Sequence, residues 1–209
     1  MSHYFTNDNL KSNIKKVLVK ISGNTFTFNT DNGVFSKKGM DFGTRTLIET
    51  LLKENLYGDI LDVGCGYGVI GIILSSFFNN EINSIDMIDV NLRAIHLTKM
   101  NIKENKVNNC NAFVSNVYDQ IDKKYDFIIT NPPIRAGKEI VYKILKDSRN
   151  YLKENGCLYY VINKEQGAIS SIKEMEELAD VKILEKNKGF YIIKCVFWIF
   201  IVDNLINLW

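Results

Sequence analysis

The sequence predicts an α/β fold: an open, mainly parallel sheet with helices on both faces, preceded by a small β-hairpin. Three observations predict it. A short apolar run at 59–63 passes through a glycine turn (Gly64, Gly66, Gly68) into a very apolar helical stretch, the opening unit of a nucleotide-binding βαβ fold. Strand and helix patterns then alternate. The two prolines of the chain, Pro132 and Pro133, stand together at the end of another apolar run, 127–129. Proline cannot continue a central strand, and the residue before it is pushed to extended geometry. Asn131 is therefore held at a strand's carboxyl end, the edge where open α/β sheets bind ligands.

A chain of 209 residues with 46% hydrophobic content suits one domain with an ample core. We divide it into an N-terminal arm and hairpin at 1–40, a core at 41–195 and an apolar tail at 196–209. A net charge of +2 neither announces a nucleic-acid partner nor forbids one. The cysteines (Cys65, Cys110, Cys157, Cys195) are scattered without a C-x-x-C pair, which predicts free thiols in a reducing cytoplasm and no metal site. The first residues are polar and lack a signal-peptide pattern.

The elements follow in order. Residues 1–15 read as a lead-in arm, with His3 and Tyr4 on the surface. Alternating runs at 17–21 and 25–29, around Ser22-Gly23-Asn24, make a hairpin, and 30–33 is a second turn. A loop at 33–45, rich in glycine and charge, leads to a helix at about 44–54 with Leu47, Leu51 and Leu52 on its apolar face. Asp41, Gly43 and Thr44 stand at its N-terminus, where free N–H groups favour either a helix cap or a ligand.

The glycine turn reads G-x-G-x-G, not the G-x-G-x-x-G of a dinucleotide site. S-adenosylmethionine (AdoMet) has no pyrophosphate, and Asp62 at the strand end suits its charged amino-acid portion. A second strand at 83–89 ends in Asp89, placed to hold ribose hydroxyls. Asp86, mid-strand and read onto the same face, is the runner-up; Asn91 is the competing cap for the helix at 92–105, which contains His96 as a packing or surface residue. A third strand at 111–114 runs into Ser115-Asn116-Val117-Tyr118. There Asn116 can accept from an adenine amino group while Val117 or Tyr118 flanks the ring, or it is an ordinary loop residue. The fourth strand, 125–130, ends in the Asn-Pro-Pro turn. A helix at 137–153, a strand at 155–162, a helix at 167–179 and an antiparallel pair at 181–185 and 189–196 complete the sheet. The apolar tail is shorter than the about 20 residues of a membrane span. It extends the last strand, covers the core or mediates dimerisation.

Five segments carry a resemblance: G-V-F-S-K-K-G-M-D-F-G-T-R at 33–45, D-V-G-C-G-Y-G at 62–68, D-V-N-L-R-A at 89–94, S-N-V-Y at 115–118 and T-N-P-P-I-R-A-G-K at 130–138. Together they resemble class I AdoMet-dependent methyltransferases, and among them the short single-domain relatives of the ribosomal RNA guanine-N2 methyltransferases of the small-subunit methyltransferase C type. The resemblance implies a Rossmann-like seven-stranded sheet closed by an antiparallel hairpin. It implies AdoMet contacts from Asp62, Gly64, Gly66 and Gly68, with Asp89 on the ribose, Asn116 near the adenine, and Asp41, Gly43, Thr44 and Asn131 by the methionine end.

Asn131, Pro132, Pro133 and Ile134 resemble the catalytic N-P-P-(aromatic) motif of amino-directed methyltransferases, with Ile134 in the aromatic place. The Asn131 oxygen and the Pro132 carbonyl would accept the two hydrogens of an exocyclic amine and aim its lone pair. Arg135 and Lys138 would bind RNA phosphates or stack on a base, and Lys15, Lys16, Lys37 and Lys38 would join them if the fold brings them to that edge. The expected activity is methylation of guanine N2 in ribosomal RNA or the small ribosomal subunit, in the cytoplasm and without a membrane partner. Competing readings are a release-factor glutamine, a small-molecule acceptor, or a non-catalytic AdoMet-binding subunit. Ile134 and the β-rich N-terminus argue against the release factor.

Overall fold

The computed structural model describes residues 11–36 and 39–198; His3, Tyr4, Lys37, Lys38 and the tail from 199 lie outside the described residues. Two strands come first, β1 (Lys15–Ile21) and β2 (Asn24–Thr30). Their two-residue turn has positive φ at both Ser22 (44°) and Gly23 (84°), the geometry whose twist matches an antiparallel hairpin. Val19, Ile21, Phe26 and Phe28 are buried on its inner face.

Beyond the hairpin come helix α1 (Phe42–Leu51), strand β3 (Gly58–Val63), helix α2 (Val69–Phe77), strand β4 (Ile82–Asp89) and helix α3 (Leu92–Glu104). Strands β5 (Cys110–Val114) and β6 (Tyr125–Thr130), helix α4 (Lys138–Asp147), strand β7 (Leu152–Asn163) and helix α5 (Ala168–Glu176) follow. Strands β8 (Ala179–Asn187) and β9 (Phe190–Phe197) close the order. Seven strands form one sheet in the order β5-β4-β3-β6-β7-β9-β8. Strands β3 to β7 pair in parallel, and β9 runs antiparallel to both β7 and β8. The predicted class, strand number, leading hairpin and closing antiparallel pair are all present.

Both faces of the sheet are covered, so its central strands are apolar on both sides. Ile60, Ile85 and Met87 pack under Leu47 and Leu51 of α1, Ile72 and Ile73 of α2 and Leu97 of α3. Their neighbours along the strands, Leu61 and Ile88, point the other way, against Val141, Ile144 and Leu145 of α4 and Met175 of α5.

The hairpin is fastened to this body by two asparagines one turn apart, Asn101 on α3 and Asn105 at its C-cap. Asn101 accepts from the Asn29 N–H (2.6 Å) and donates to its carbonyl (3.0 Å). Asn105 does the same for Thr27 (3.1 and 2.8 Å), so the two side chains bond alternate β2 residues as a neighbouring strand would. Asn101 also donates to the Tyr67 carbonyl in the glycine turn (2.8 Å). Asn101→Ala strands several buried backbone groups at once. It is expected to cost about 2–4 kcal/mol, read as a lower midpoint in urea unfolding at unchanged slope.

Several boundaries differ from the sequence reading. Helix α1 starts at Phe42, because Asp41 caps it, and ends at Leu51 rather than near 54. The helix expected to reach 153 stops at Asp147; a single 3-10 turn, Ser148–Tyr151, leads directly into β7. Strand β7 begins early because Leu152 pairs with Tyr125 before three extra residues bulge out, with Asn155 at φ 62°. Lys153 pins the bulge to Asp59 (2.7 Å) and Asp126 (2.8 Å). The helix expected to run to 179 ends at Glu176, and Ala179 opens β8. Val196 and Phe197 belong to β9, so the expected edge of the tail falls inside a strand.

Two further expectations resolve simply. His96 is exposed on α3, and the cysteines are free. Lys16 pairs with Glu104 (2.7 Å) at the C-terminal end of α3, away from the carboxyl edge of the sheet. No helix among the described residues is long and apolar enough to cross a membrane.

Candidate active site

Strand order reverses between β3 and β6, and their carboxyl ends lie side by side: Val63 is paired with Thr130. The residues that follow are Gly64 on one strand and Asn131 on the other. Such a reversal opens a crevice beyond the sheet edge. Here it is a cavity of about 500 Å³ whose wall includes the glycine turn, the end of β4, the turn after β5, the Asn-Pro-Pro turn and the N-terminus of α1.

The three glycines divide into two kinds. Gly64 (φ 73°) and Gly66 (φ 58°) border the cavity, and a Cβ on either would meet nothing within 4 Å. They present bare backbone to a ligand. Gly68 (φ 89°) lies behind them at the start of α2, where a Cβ would come within 2.7 Å of the Thr98 methyl.

Two carboxylates flank the turn. Asp89 lines the cavity at the end of β4; its Oδ2 accepts from the Gly66 N–H (3.0 Å) and its Oδ1 from the Asn91 N–H (2.9 Å). Burial pushes its pKa up to about 6, against the pull of these N–H groups. Asp62 is fully buried behind the turn. Its Oδ2 accepts from the Gly71 N–H (3.3 Å), while Oδ1 has no hydrogen-bond partner among the described residues. Burial raises it to about 7, with the charge of Asp89 adding to the rise. The cap of α3 is Asn91, which accepts from the Arg93 and Ala94 N–H groups, so Asp89 is left for the cavity.

Asp86 is not an alternative to Asp89. Residues three apart on a strand face opposite sides of the sheet, not the same side. Asp86 is buried, bonded to the Tyr125 hydroxyl (2.9 Å) and paired with Lys123 (2.8 Å).

Asn116 lies on the cavity wall, exposed, with its Nδ2 donating to Asp119 (3.0 Å). Val117, at φ 52°, also borders the cavity. Tyr118 does not; it is buried with its hydroxyl donating to the Ile144 carbonyl (2.7 Å).

At the opposite wall, Asp41 caps α1. Its Oδ1 accepts from the Thr44 N–H (3.1 Å) and its Oδ2 from the Thr44 hydroxyl (2.6 Å). The same hydroxyl oxygen lies 2.9 Å from Asn131 Nδ2. Asp41, Thr44 and Asn131 all line the cavity, as do Pro132, Pro133, Ile134 and Arg135. Gly43 does not line it. It is buried against the Phe190 ring, where a Cβ would come within 2.7 Å of Cε1. Lys138 stands exposed at the first position of α4, off the wall.

Sequence reasoning missed several wall residues. Phe35 and Gln166 are exposed at the wall; Phe42 and Phe190 form a tilted aromatic pair with centroids 5.8 Å apart. Phe190 begins β9, far along the chain, and only the return of the β8–β9 hairpin brings it here. Cys65 also lines the cavity, but burial holds its thiol well above the ordinary range, which makes it an inert wall group rather than a nucleophile.

A parallel sheet that reverses at β3/β6, ends in an antiparallel pair and gathers a glycine turn, an acidic strand end and Asn-Pro-Pro at one edge is the architecture of a class I methyltransferase. The sequence matches the methyltransferase small domain family over residues 25–194, and the chain belongs to that family. An uncharacterized Bacillus subtilis protein, YbxB, is 45% identical over 92% of this chain and 96% of its own length. Ribosomal RNA small subunit methyltransferase C of Psychromonas ingrahamii is 30% identical, over 78% of this chain and 46% of its own length. The same enzyme of Photorhabdus laumondii is 37% identical, over 65% and 40%. The chain thus spans less than half the length of these two relatives. Among solved structures, the T. thermophilus 16S rRNA N2 methyltransferase RsmC, in complex with AdoMet and guanosine, superposes with a TM-score of 0.76. It is 20% identical and covers 91% of this chain and 52% of its own.

Proposed function

We propose that the protein uses S-adenosyl-L-methionine to methylate the exocyclic N2 amine of a guanine in ribosomal RNA, in the cytoplasm. The observation that carries this reading is one cavity walled by Gly64, Gly66 and Asp89 on one side and by Asn131 and Pro132 on the other. Relatives named ribosomal RNA small subunit methyltransferase C support the substrate class.

The wall residues fit the cofactor. The open space over Gly64 and Gly66 admits a ligand against the backbone. Asp89 has lone pairs left on both oxygens for ribose hydroxyls. Val90, Val117, Ile140 and Ile144 offer apolar surface to a planar ring, with Asn116 at its edge. Asp62 lies beneath the turn with a buried oxygen that has no partner among the described residues. AdoMet, when bound, supplies a methyl group on a cationic sulfur, so the protein needs neither a metal nor a covalent nucleophile.

The protein's own task is to hold the acceptor. The Ala136 N–H already takes the Pro133 carbonyl (2.8 Å), so the Pro132 carbonyl and Asn131 Oδ1 are the acceptors for two amine hydrogens. Holding both hydrogens draws the nitrogen lone pair out of the ring and orients it. Ile134 gives no aromatic face, and we assign the stacking surface for the base to Phe190, with Phe35 at the mouth. A base must leave its stack to reach such a site. Phe190→Ala is expected to raise KM for RNA about tenfold, in line with about 1–3 kcal/mol per stacked base. Cofactor affinity should be unchanged, and Phe190→Tyr should restore KM.

The deciding experiment supplies methyl-labelled AdoMet with small ribosomal subunits from cells lacking the gene, and with free ribosomal RNA and large subunits in parallel. Label recovered as N2-methylguanosine supports both the reaction and the substrate class. Label in no RNA, despite measurable AdoMet binding, would sink the RNA reading.

A further inference from the structure

We infer that Thr44, backed by Asp41, decides which end of the Asn131 amide faces the substrate. The inference rests on the reading that Asn131 Oδ1 accepts a hydrogen from the acceptor amine. It adds a positioning pair that acts through Asn131 and, in this role, touches neither substrate nor cofactor.

The argument is one of proton counting. A threonine hydroxyl has one proton to give. Thr44 gives it to Asp41 Oδ2 at 2.6 Å, a charge-assisted bond. The Thr44 oxygen can then only accept. The Asn131 atom 2.9 Å away must be a donor, so it is the NH₂ end of the amide. The amide is planar with its two ends diverging, so Oδ1 is turned off Thr44. Oδ1 takes no hydrogen bond from the described residues and is not among their buried, unpartnered atoms.

The reverse orientation is excluded by the same counting. A carbonyl oxygen facing Thr44 would meet lone pairs, unless the hydroxyl left Asp41 and gave up its bond to the carboxylate. With the NH₂ end toward the cavity, donor would meet donor and an amine would be repelled.

The placement of the pair follows from the fold. Asp41 is the N-cap of α1, and its second oxygen is fixed by the Thr44 N–H at 3.1 Å. Thr44 itself is buried, 7% exposed, so water does not compete well for its hydroxyl. The helix start therefore serves as a clamp on a residue 87 positions away. The consequence is selection for acceptors that carry N–H donors, amines and amides, over acceptors presenting a lone pair alone.

The test compares Thr44→Val, which keeps shape and removes the acceptor, with Thr44→Ser, which keeps both hydroxyl roles. Each is made alone and in an Asn131→Ala background. Thr44→Val is expected to lower kcat about 10–100-fold with KM for AdoMet and RNA within about threefold, and Thr44→Ser to stay within about threefold of the parent. In the Asn131→Ala background Thr44→Val should have no further effect, since the group it positions is gone.

An equal loss in both backgrounds, or a change in cofactor affinity alone, overturns the inference. So does full activity of Thr44→Val beside an inactive Asn131→Ala, and that result leaves the proposed chemistry standing. A readout independent of turnover is the Asn131 side-chain NH₂ signal in ¹⁵N NMR. Slow hydrogen exchange of that NH₂, lost in Thr44→Val and kept in Thr44→Ser, supports the clamp even if no RNA is methylated. An NH₂ signal unchanged by Thr44→Val overturns it.

Discussion

Asn131→Ala is expected to lower kcat for methyl transfer about 10²–10³-fold, the size seen when one preorganised polar contact to a reacting centre is removed. Affinity for AdoMet should remain within about threefold. The separation follows from where the residue sits. Asn131 is fixed by β6 on one side, whose last residue Thr130 is paired with Val63 of β3, and by Thr44 on the other. The loss of its side chain therefore leaves the turn in place. Gly64, Gly66 and Asp89 line the other wall and keep their own hydrogen bonds. An alanine at 131 removes one of two acceptors for the amine hydrogens, and the nitrogen lone pair stays spread into the ring. Single-turnover rates and AdoMet titration of the same preparation read the two quantities separately. A drop in affinity that accounts for the whole loss of rate would place Asn131 in the cofactor site rather than at the acceptor.

The sheet was legible because its signals are local. A glycine turn directly after an apolar strand and a double proline at the end of another fix two strand ends without reference to the rest of the chain. Signals that depend on distant partners were not legible. The sequence around Leu152 reads as helix, yet Lys153 is drawn to Asp59 and Asp126, carboxylates 94 and 27 residues away, and the bulge at Asn155 lets β7 start early. Asp86 was read onto the face of Asp89 as its runner-up, but a strand's period of two sends it to the other face, into a bond with Tyr125.

The cavity wall divides along the same line. The residues at and just beyond the ends of the parallel strands, Gly64, Asp89, Asn116 and Asn131, were found by position, because strand ends in this fold point to one edge. Phe190 comes back to that edge on an antiparallel strand, and Gly43 serves it by leaving room for its ring. No spacing rule links 43 to 190. For Asp41 and Thr44 the sequence left open a cap or a ligand contact. The cap is real, and the hydroxyl it orients also lies against Asn131.

The second large effect concerns Asp89. Its affinity contribution should depend on pH, and the sign can be worked out. Burial raises its pKa to about 6 in the unliganded protein. Above that value it is a carboxylate whose oxygens accept from Gly66 and Asn91 and keep lone pairs for ribose hydroxyls. Below it, one oxygen carries a proton and becomes a donor, so a donor ligand loses an acceptor. Binding therefore favours the ionised form. Affinity should be flat above about pH 7 and fall by up to about tenfold for each pH unit below about 6.

Asp89→Asn is expected to weaken binding about 10–100-fold at neutral pH, the worth of a hydrogen bond to a charged group, and to remove the step near pH 6. Calorimetric titration with S-adenosylhomocysteine between pH 5 and 8 measures both. Asp62 supplies the control. It is raised to about 7 but lies behind the turn, with Gly71 rather than the cavity as its partner. A step that survives Asp89→Asn and disappears in Asp62→Asn would move the titrating charge from the wall of the cavity to the floor beneath the glycines. Asp89 would then be a neutral scaffold for the turn, and the ribose contact would have to be sought elsewhere.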